Sequence, residues 1–175
     1  TGADEFYVLE DNCRTPSGVS YMLENREIMM RMFPDLFKAN RVSPIDDYPT
    51  RLLQTFMSLA PPKCENPEPT VVLLTPGPMN SAYYEHSFLS DQMGIEMVQA
   101  EDLFVDGEFL HMKTVSGPKR VDIVYRRIDD NFLDPLSFNP ESLIGVPGIM
   151  NVYRTGGVTI LSAPGSGIAD DKAIY

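Results

Sequence analysis

A run of polar residues from Glu10 to Arg14 contains the side chains of this sequence that are best suited to chemistry. The residues before it, 6–9, have the apolar pattern of a short strand, and side chains two positions apart on a strand face the same way. Glu10 and Asn12 would then project together, and their carboxylate and amide oxygens are hard ligands of the kind that Mg²⁺ binds. The spacing is therefore compatible with a magnesium ion bound at Glu10 and Asn12.

The residues that follow this pair are suited to phosphate. Arg14 carries a planar guanidinium that can bind two phosphate oxygens at once. Ser17 and Gly18 lie where a helix is predicted to begin, and the free backbone N–H groups of a helix start attract anions. Together with the metal pair, these residues could hold a metal-bound nucleotide.

A purely structural interpretation of the same run stays open at this point. Asp11 and Asn12 can close a turn, and Ser17 or Ser20 can cap the following helix. Arg14 can pair with a nearby acid. In that case the run fixes the path of the chain and binds no ligand.

Composition and charge narrow the classes of function. With 43% hydrophobic and 22% charged residues in a chain of 175, the sequence is typical of a globular protein. The net charge of −11 argues against a nucleic-acid surface. Apolar runs such as 71–74 are far shorter than the roughly 20 residues that cross a bilayer, and no signal segment opens the chain. We therefore expect a cytoplasmic protein without a nucleic-acid or membrane partner, and we expect its two cysteines to be free thiols.

The first third of the chain predicts a strand followed by helices. Residues 20–33 form an apolar stripe that Pro34 ends, and residues 45–60 form a second helical pattern. Residues 61–69 contain four prolines and indicate a boundary. We therefore predict an N-terminal unit at 1–60, which carries the polar run, and an α/β domain at 61–175.

The second unit alternates strands with helices. Strand 71–74, a helix from Asn80 or Ser81 to Gly94 and strand 95–99 make a βαβ unit. A hairpin is predicted at 103–112 around Asp106-Gly107, with buried strands at 121–125 and 158–161 and partly helical chain at 140–153. These patterns predict a Rossmann-like, open and mainly parallel sheet with flanking helices. Ligands bind such sheets beyond the carboxyl ends of their strands.

Four stretches, in order along essentially the whole chain, resemble the circularly permuted ATP-grasp proteins, the relatives of glutathionylspermidine synthetase. The first and last of them are specific. They are residues 10–26 (EDNCRTPSGVSYMLENR), residues 75–86 (TPGPMNSAYYEH), residues 125–130 (YRRIDD) with 132–136, and residues 163–172 (APGSGIADDK).

This resemblance implies an ATP- and Mg²⁺-dependent carboxylate–amine ligase. Such an enzyme phosphorylates a carboxylate and lets an amine displace phosphate from the acyl phosphate. The resemblance assigns Mg²⁺ to Glu10 and Asn12 and makes Arg14 the catalytic candidate. Phosphoryl transfer depends on positioning and charge neutralisation, which suits these residue types. The implied contacts to ATP or bound substrate are Arg14, Ser17, Gly18 and Lys172.

Three further residues are candidates for contacting the substrate. Arg126 and Arg127 follow a buried strand, where α/β sheets place their ligands, although ion pairs with Asp129 and Asp130 are an equal alternative. Glu85 lies in the first turns of a predicted helix, a position suited to substrate binding or to capping.

The family pattern also extends past both ends of this sequence. The relatives carry an Arg and an Asp just upstream of the magnesium pair, and they continue beyond the lysine that corresponds to Lys172 with elements that clamp adenine. We therefore expect a piece of a longer ligase that is inactive alone. The alternative is a non-catalytic binding or scaffolding module. Neither the acid, the amine nor an oligomeric state is predicted.

Overall fold

Two sheets and their flanking helices make up residues 7–174, which the computed structural model describes. None of the helices described there is long and apolar enough to cross a bilayer. Short 3₁₀ turns lie at Ala100–Asp102, Ser166–Ile168 and Lys172–Ile174. The other elements, in chain order, are α1 (Val19–Met32), α2 (Pro34–Asn40), α3 (Tyr48–Met57), β1 (Val71–Leu74), α4 (Tyr83–Met93), β2 (Glu96–Val98), β3 (Leu103–Asp106), β4 (Phe109–Thr114), β5 (Gly117–Val121), β6 (Ile123–Arg126), α5 (Asp130–Leu133), α6 (Ile149–Arg154) and β7 (Thr159–Leu161).

The parallel sheet has the strand order β2-β1-β6-β7. All of β1 is buried, as its continuous apolar run predicts, and its alternate residues enter opposite clusters: Val72 and Leu74 on one face, Val71 and Leu73 on the other. The chain passes from β1 to β2 on one side and returns to β6 on the other. The strand order therefore reverses between β1 and β6, and the crevice at such a point is where open α/β sheets bind ligands.

Helices α3 and α4 cover one face of this sheet. Phe56 of α3 packs on the ring of Tyr125, with ring centroids 4.8 Å apart. Helix α4 ends at Gly94 in the left-handed conformation, as predicted. It begins after Ala82, whereas Asn80 only accepts the Ala82 N–H at 2.9 Å in the preceding turn. The predicted βαβ unit is confirmed, and the predicted side-chain cap is wrong.

The antiparallel sheet has the order β3-β4-β5 and packs its buried face against α6 and the parallel sheet. The predicted hairpin around Asp106-Gly107 is confirmed. Its third strand, β5, was not predicted because Pro118 interrupts its short pattern. The predicted strand 121–125 divides at Asp122, whose carboxylate accepts the Thr70 N–H at 2.9 Å. One residue thus separates strands of two different sheets.

The predicted opening strand is wrong over residues 7–9; Phe6 lies outside the described residues. Tyr7, Val8 and Leu9 are in no strand, and their side chains are 66–87% exposed. Apolar residues form a strand only where a neighbouring strand completes their hydrogen bonds. Pro34 does end α1, but it also starts α2, because the first position of a helix needs no backbone N–H donor.

The described chain is therefore a mixed α/β fold with one parallel and one antiparallel sheet. The boundary at residue 60 stays a prediction. Phe56, Leu52 and Leu53 from its N-terminal side share a cluster with sheet residues from its C-terminal side. Cys13 and Cys64 carry free thiols, as predicted.

Candidate functional site

The carboxyl ends of β1, β6 and β7 lie at one edge of the parallel sheet. The loops that follow these strands begin at Thr75, Arg127 and Ser162. Residues 10–18 contact two of these loops through hydrogen bonds that span more than 100 positions of the chain. The segments that the sequence singled out therefore meet at the edge where ligands of α/β sheets bind.

Glu10 and Asn12 lie together, although no strand presents them. The Glu10 carboxylate accepts a hydrogen bond from Lys172 Nζ at 3.0 Å, and Asn12 also hydrogen-bonds to it. The bond and charge of Lys172, and then the bond from Asn12, lower the pKa of Glu10 and keep it ionised. Within residues 7–174, no group of three or more His, Cys, Asp or Glu side chains could hold a metal ion. A magnesium ion here would depend on Glu10 and Asn12, with water and phosphate as its other ligands.

Arg14 lies between two carboxylates. Its Nη1 donates to Asp129 at 2.8 Å, and its Nε lies 3.9 Å from Asp170. The hydrogen bond to Asp129, and then its charge, raise the pKa of Arg14. Its guanidinium passes so close to Gly167 that a Cβ there would lie 2.5 Å from Nε. A side chain at position 167 would therefore displace the Arg14 guanidinium from its present position.

Asp170 also holds the backbone of the polar run. Its carboxylate accepts the N–H groups of Cys13 and of Arg14, the latter at 3.0 Å. Ser166 donates its hydroxyl to the Cys13 carbonyl at 3.2 Å. The first and last specific motifs are thus bound to each other, which brings Lys172 to Glu10.

Ser17 and Gly18 are fixed by buried side chains. Arg127 donates to the Ser17 hydroxyl at 2.6 Å, and Glu85 accepts the Gly18 N–H at 2.6 Å. Gly18 precedes α1 with φ at +113°, a conformation that glycine adopts without strain. The start of α1 therefore already has an anionic partner, the Glu85 carboxylate.

Arg126 is fully buried and holds the neighbouring loops. It donates to the carbonyls of Ser162 and Ile128, each at 2.6 Å, and it pairs with Asp130 at 2.6 Å. Burial lowers its pKa, against the charges of Asp130 and Asp129. Of the predicted arginine pairs, only Arg126 with Asp130 forms, and it lies inside the protein.

His86 follows Glu85 on α4 and is also buried. Its Nδ1 lies 2.9 Å from the Thr75 hydroxyl, which accepts the Gly77 N–H at 3.2 Å. Burial, and then the charge of Arg127, lower the pKa of His86 to about 4. His86 is therefore neutral at pH 7 and supports the loop after β1.

The described surface also carries a groove of about 540 Å³ away from these residues. It lies between α1, the segment 44–49 and α4, and none of the predicted site residues lines it. Its charged lining includes Glu27 and Arg31, which pair with each other at 3.5 Å. The chemistry of the polar run is thus separate from this groove.

A comparison with protein families shows to which family this chain belongs. The family described as circularly permuted ATP-grasp type 2 matches residues 1–175. The chain belongs to this family. The resemblance seen in the four motifs is confirmed at the level of the ATP-grasp family, whereas the closer relation to glutathionylspermidine synthetase stays a prediction.

Individual ATP-grasp relatives extend well beyond the matched region. A Synechocystis sp. protein is 56% identical over 99% of this chain, and a Mycobacterium tuberculosis protein is 51% identical over 98% of it. The chain spans 36% and 31% of their respective lengths. A Frankia alni protein, named as a candidate glutamate–cysteine ligase 2-3, is 36% identical over 99% of the chain, which spans 20% of that protein.

In this ATP-grasp chain, four predicted residues come together: Glu10, Asn12, Arg14 and Lys172 are linked directly or through Asp170. Ser17 and Gly18 lie on the adjoining turn. The sequence reasoning missed the pairing of Arg14 with Asp129 and Asp170, because a motif shows no contact with a partner 115 or 156 positions away. Asp129 and Asp170 do lie within the third and fourth motifs, and this was the sequence feature that could have pointed to them as partners of Arg14.

Proposed function

We propose that this chain forms part of an ATP- and Mg²⁺-dependent carboxylate–amine ligase, which makes an amide or peptide-like bond through an acyl phosphate. One observation carries the proposal: Glu10, with Asn12 beside it, lies against Lys172, across nearly the whole chain. Membership of the ATP-grasp family and the ligase name of the Frankia relative support it.

Each residue of the cluster has a role that fits its chemistry. Glu10, kept ionised by its lowered pKa, and Asn12 would hold Mg²⁺ through hard oxygen ligands. The bound ion would neutralise phosphate charge during phosphoryl transfer. Lys172, whose side chain is 81% exposed, can turn from Glu10 towards a phosphate.

Arg14 is the proposed catalytic residue. Its Nη1 is held by Asp129, and its fork would bind the transferred phosphate as charge develops. Ser17 and Gly18 would line the same space from the turn before α1. Glu85, Arg126 and Arg127 are buried and bonded within the protein, so they would support the site without touching substrate.

The proposed substrates are a small carboxylate, such as an amino acid, and a small amine. The name of the Frankia relative supports amino-acid partners, since glutamate–cysteine ligation joins a carboxylate to an amine. We also propose that residues 61–175 form a Rossmann-like unit; the parallel order β2-β1-β6-β7 supports this. That residues 1–175 are inactive alone stays a prediction.

Calorimetric titration of the full-length parent with Mg-ATP tests the ligase. Glu10→Gln and Asn12→Ala should each weaken Mg-ATP binding by about tenfold or more, because each removes a metal ligand. Glu141→Gln, an exposed carboxylate in another loop, is the matched control and should bind normally. Turnover is measured as phosphate release on addition of acid and amine.

If the Glu10 and Asn12 variants keep normal affinity and normal turnover, these residues are not the magnesium ligands. If the unmodified parent binds Mg-ATP but no acid–amine pair releases phosphate, the alternative of a binding module replaces the ligase. The pairing of Arg14 with two carboxylates is the observation that favours that alternative.

A further inference from the structure

A buried ion pair lies beneath the turn that precedes α1. Arg127 Nη2 and Glu85 Oε1 are 3.2 Å apart, and each side chain is only 1% exposed. Arg127 directly follows β6, and Glu85 lies in the first turn of α4. The pair is therefore next to the crevice between β1 and β6, where the strand order reverses.

Both partners bind the turn directly. Arg127 donates to the Pro16 carbonyl at 2.6 Å and to the Ser17 hydroxyl at 2.6 Å. Glu85 Oε2 accepts from the Gly18 N–H at 2.6 Å, from the Ser20 N–H at 3.2 Å and from the Ser20 hydroxyl at 2.9 Å. The path of the chain from residue 16 to residue 20 is thus set by two side chains more than 60 positions away.

Regular secondary structure and local capping do not account for the path of this turn. Residues 7–18 contain no helix or strand, and the start of α1 has no side-chain cap of its own. Apart from the bond from Arg127, the Ser17 hydroxyl makes only a local bond, to the Thr15 carbonyl. Because Glu85 satisfies the backbone donors that a helix start leaves open, it occupies the position that an anionic ligand would take.

A buried pair of charges need not stabilise the folded protein. Its desolvation offsets much of its attraction, and hydrophobic replacements are often as stable. What it supplies is a fixed geometry, because a guanidinium and a carboxylate direct several hydrogen bonds at once.

We propose that Glu85 and Arg127 are positioning residues, which fix Ser17 and Gly18 relative to Arg14 without touching nucleotide or substrate. This inference rests on the proposed ligase function. Both side chains are buried beneath the turn, so they act on the site through Ser17 and Gly18 and not through a contact with substrate.

Hydrogen exchange of the full-length parent tests the geometry without any variant. The amides of Gly18 and Ser20 should exchange at least about 100-fold more slowly than free amides, because Glu85 accepts both N–H groups. Exchange at the free rate would overturn the proposal. This measurement does not depend on ligase activity.

Kinetics of the full-length parent then test the role. Glu85→Gln keeps the size of the side chain and Arg127→Lys keeps the charge, but each loses part of the bonding pattern. In each variant, kcat/KM for Mg-ATP should fall at least about tenfold at a temperature where circular dichroism shows it fully folded. Asp134→Asn is the control: Asp134 is equally buried and accepts the N–H groups of Gly148 and Met150, away from the turn.

The control should lose stability and keep its kcat/KM. Normal kinetics in folded Glu85→Gln would refute a positioning role, as would an equal loss in Asp134→Asn. If neither variant of the pair folds, the exchange rates of the unmodified protein decide alone. An unmodified parent without phosphate release would instead refute the ligase, and the exchange result would still stand.

Discussion

Arg14 illustrates that a sequence can single out a candidate residue without showing its partners in the fold. The sequence offered phosphate or a nearby acid as its partner, and the partners found are Asp129 and Asp170. Ion pairs that are exposed to this degree add little to stability, because solvent screens their charges. Their effect is to hold the guanidinium in one direction.

His86 makes the stability of the protein depend on pH. The folded state binds a proton at His86 only near pH 4, whereas the unfolded chain binds it near 6.5, so acid favours unfolding. The free energy of unfolding should therefore fall by up to about 3 kcal/mol between pH 6.5 and pH 4 on account of this residue. Glu85 and Arg127 face the same ring and act against each other, because the charge of Arg127 lowers the pKa of His86 and the charge of Glu85 raises it.

Urea unfolding at a series of pH values measures this loss. The variant His86→Asn cannot titrate and should show a shallower fall than the unmodified protein. His111→Asn, which removes the other histidine, is the matched control variant. An unchanged slope in His86→Asn would show that other groups cause the acid sensitivity.

The residues of the candidate site were predictable in part. Glu10, Asn12, Arg14 and Lys172 were found by residue type and resemblance, and they do come together. The strand that was to present Glu10 and Asn12 is absent over residues 7–9; contacts with the loop after β7 hold this segment. Such contacts depend on the tertiary structure, which local patterns do not contain.

At the scale of elements, the loop after β7 leaves room for the Arg14 side chain at Gly167. A Cβ at Gly167 would lie 2.5 Å from Arg14 Nε, and the end of a flexible side chain can move away at little energetic cost. Gly167→Ala should therefore change the free energy of unfolding by less than about 0.5 kcal/mol. It should lower kcat/KM of the full-length parent about tenfold or more, because Arg14 is displaced.

Ile168→Ala is the control in the same loop, since Ile168 is exposed and its truncation leaves Arg14 in place. Unfolding curves and steady-state kinetics are recorded for both variants. Full activity in Gly167→Ala would show that the position of Arg14 near this loop does not matter for turnover.

Elements with a continuous apolar run were the easiest to predict. β1, the hairpin β3–β4 and the end of α4 at Gly94 follow directly from local patterns. β5 and the break at Asp122 do not follow from local patterns. β5 forms by pairing with β4, and the break at Asp122 is fixed by the bonds of this residue to Thr70. Short polar strands depend on their neighbours more than on their own residues.

At the scale of the whole molecule, Asp170 joins segments from opposite ends of the described chain. Each oxygen of its carboxylate accepts one backbone N–H group, that of Cys13 or that of Arg14. An asparagine side chain has one acceptor oxygen, and its NH₂ group would face the second N–H. Asp170→Asn should therefore speed hydrogen exchange in residues 8–14, while the free energy of unfolding changes by no more than about 1.5 kcal/mol.

Asp171→Asn is the matched control, because the Asp171 carboxylate accepts a local hydrogen bond, from the Ala173 N–H two positions further along the chain. In Asp171→Asn, the backbone amides of residues 8–14 should still exchange slowly. Equal exchange in both variants would mean that Asp170 does not hold the polar run.

The single residue between β5 and β6 has a mechanical consequence. Asp122 is bonded to Thr70 through both its backbone and its carboxylate, so the chain has no slack where it passes from one sheet to the other. A change in the angle between the two sheets would therefore act on the chain at Asp122, where β6 begins, and the other end of β6 leads into Arg127 and Asp129.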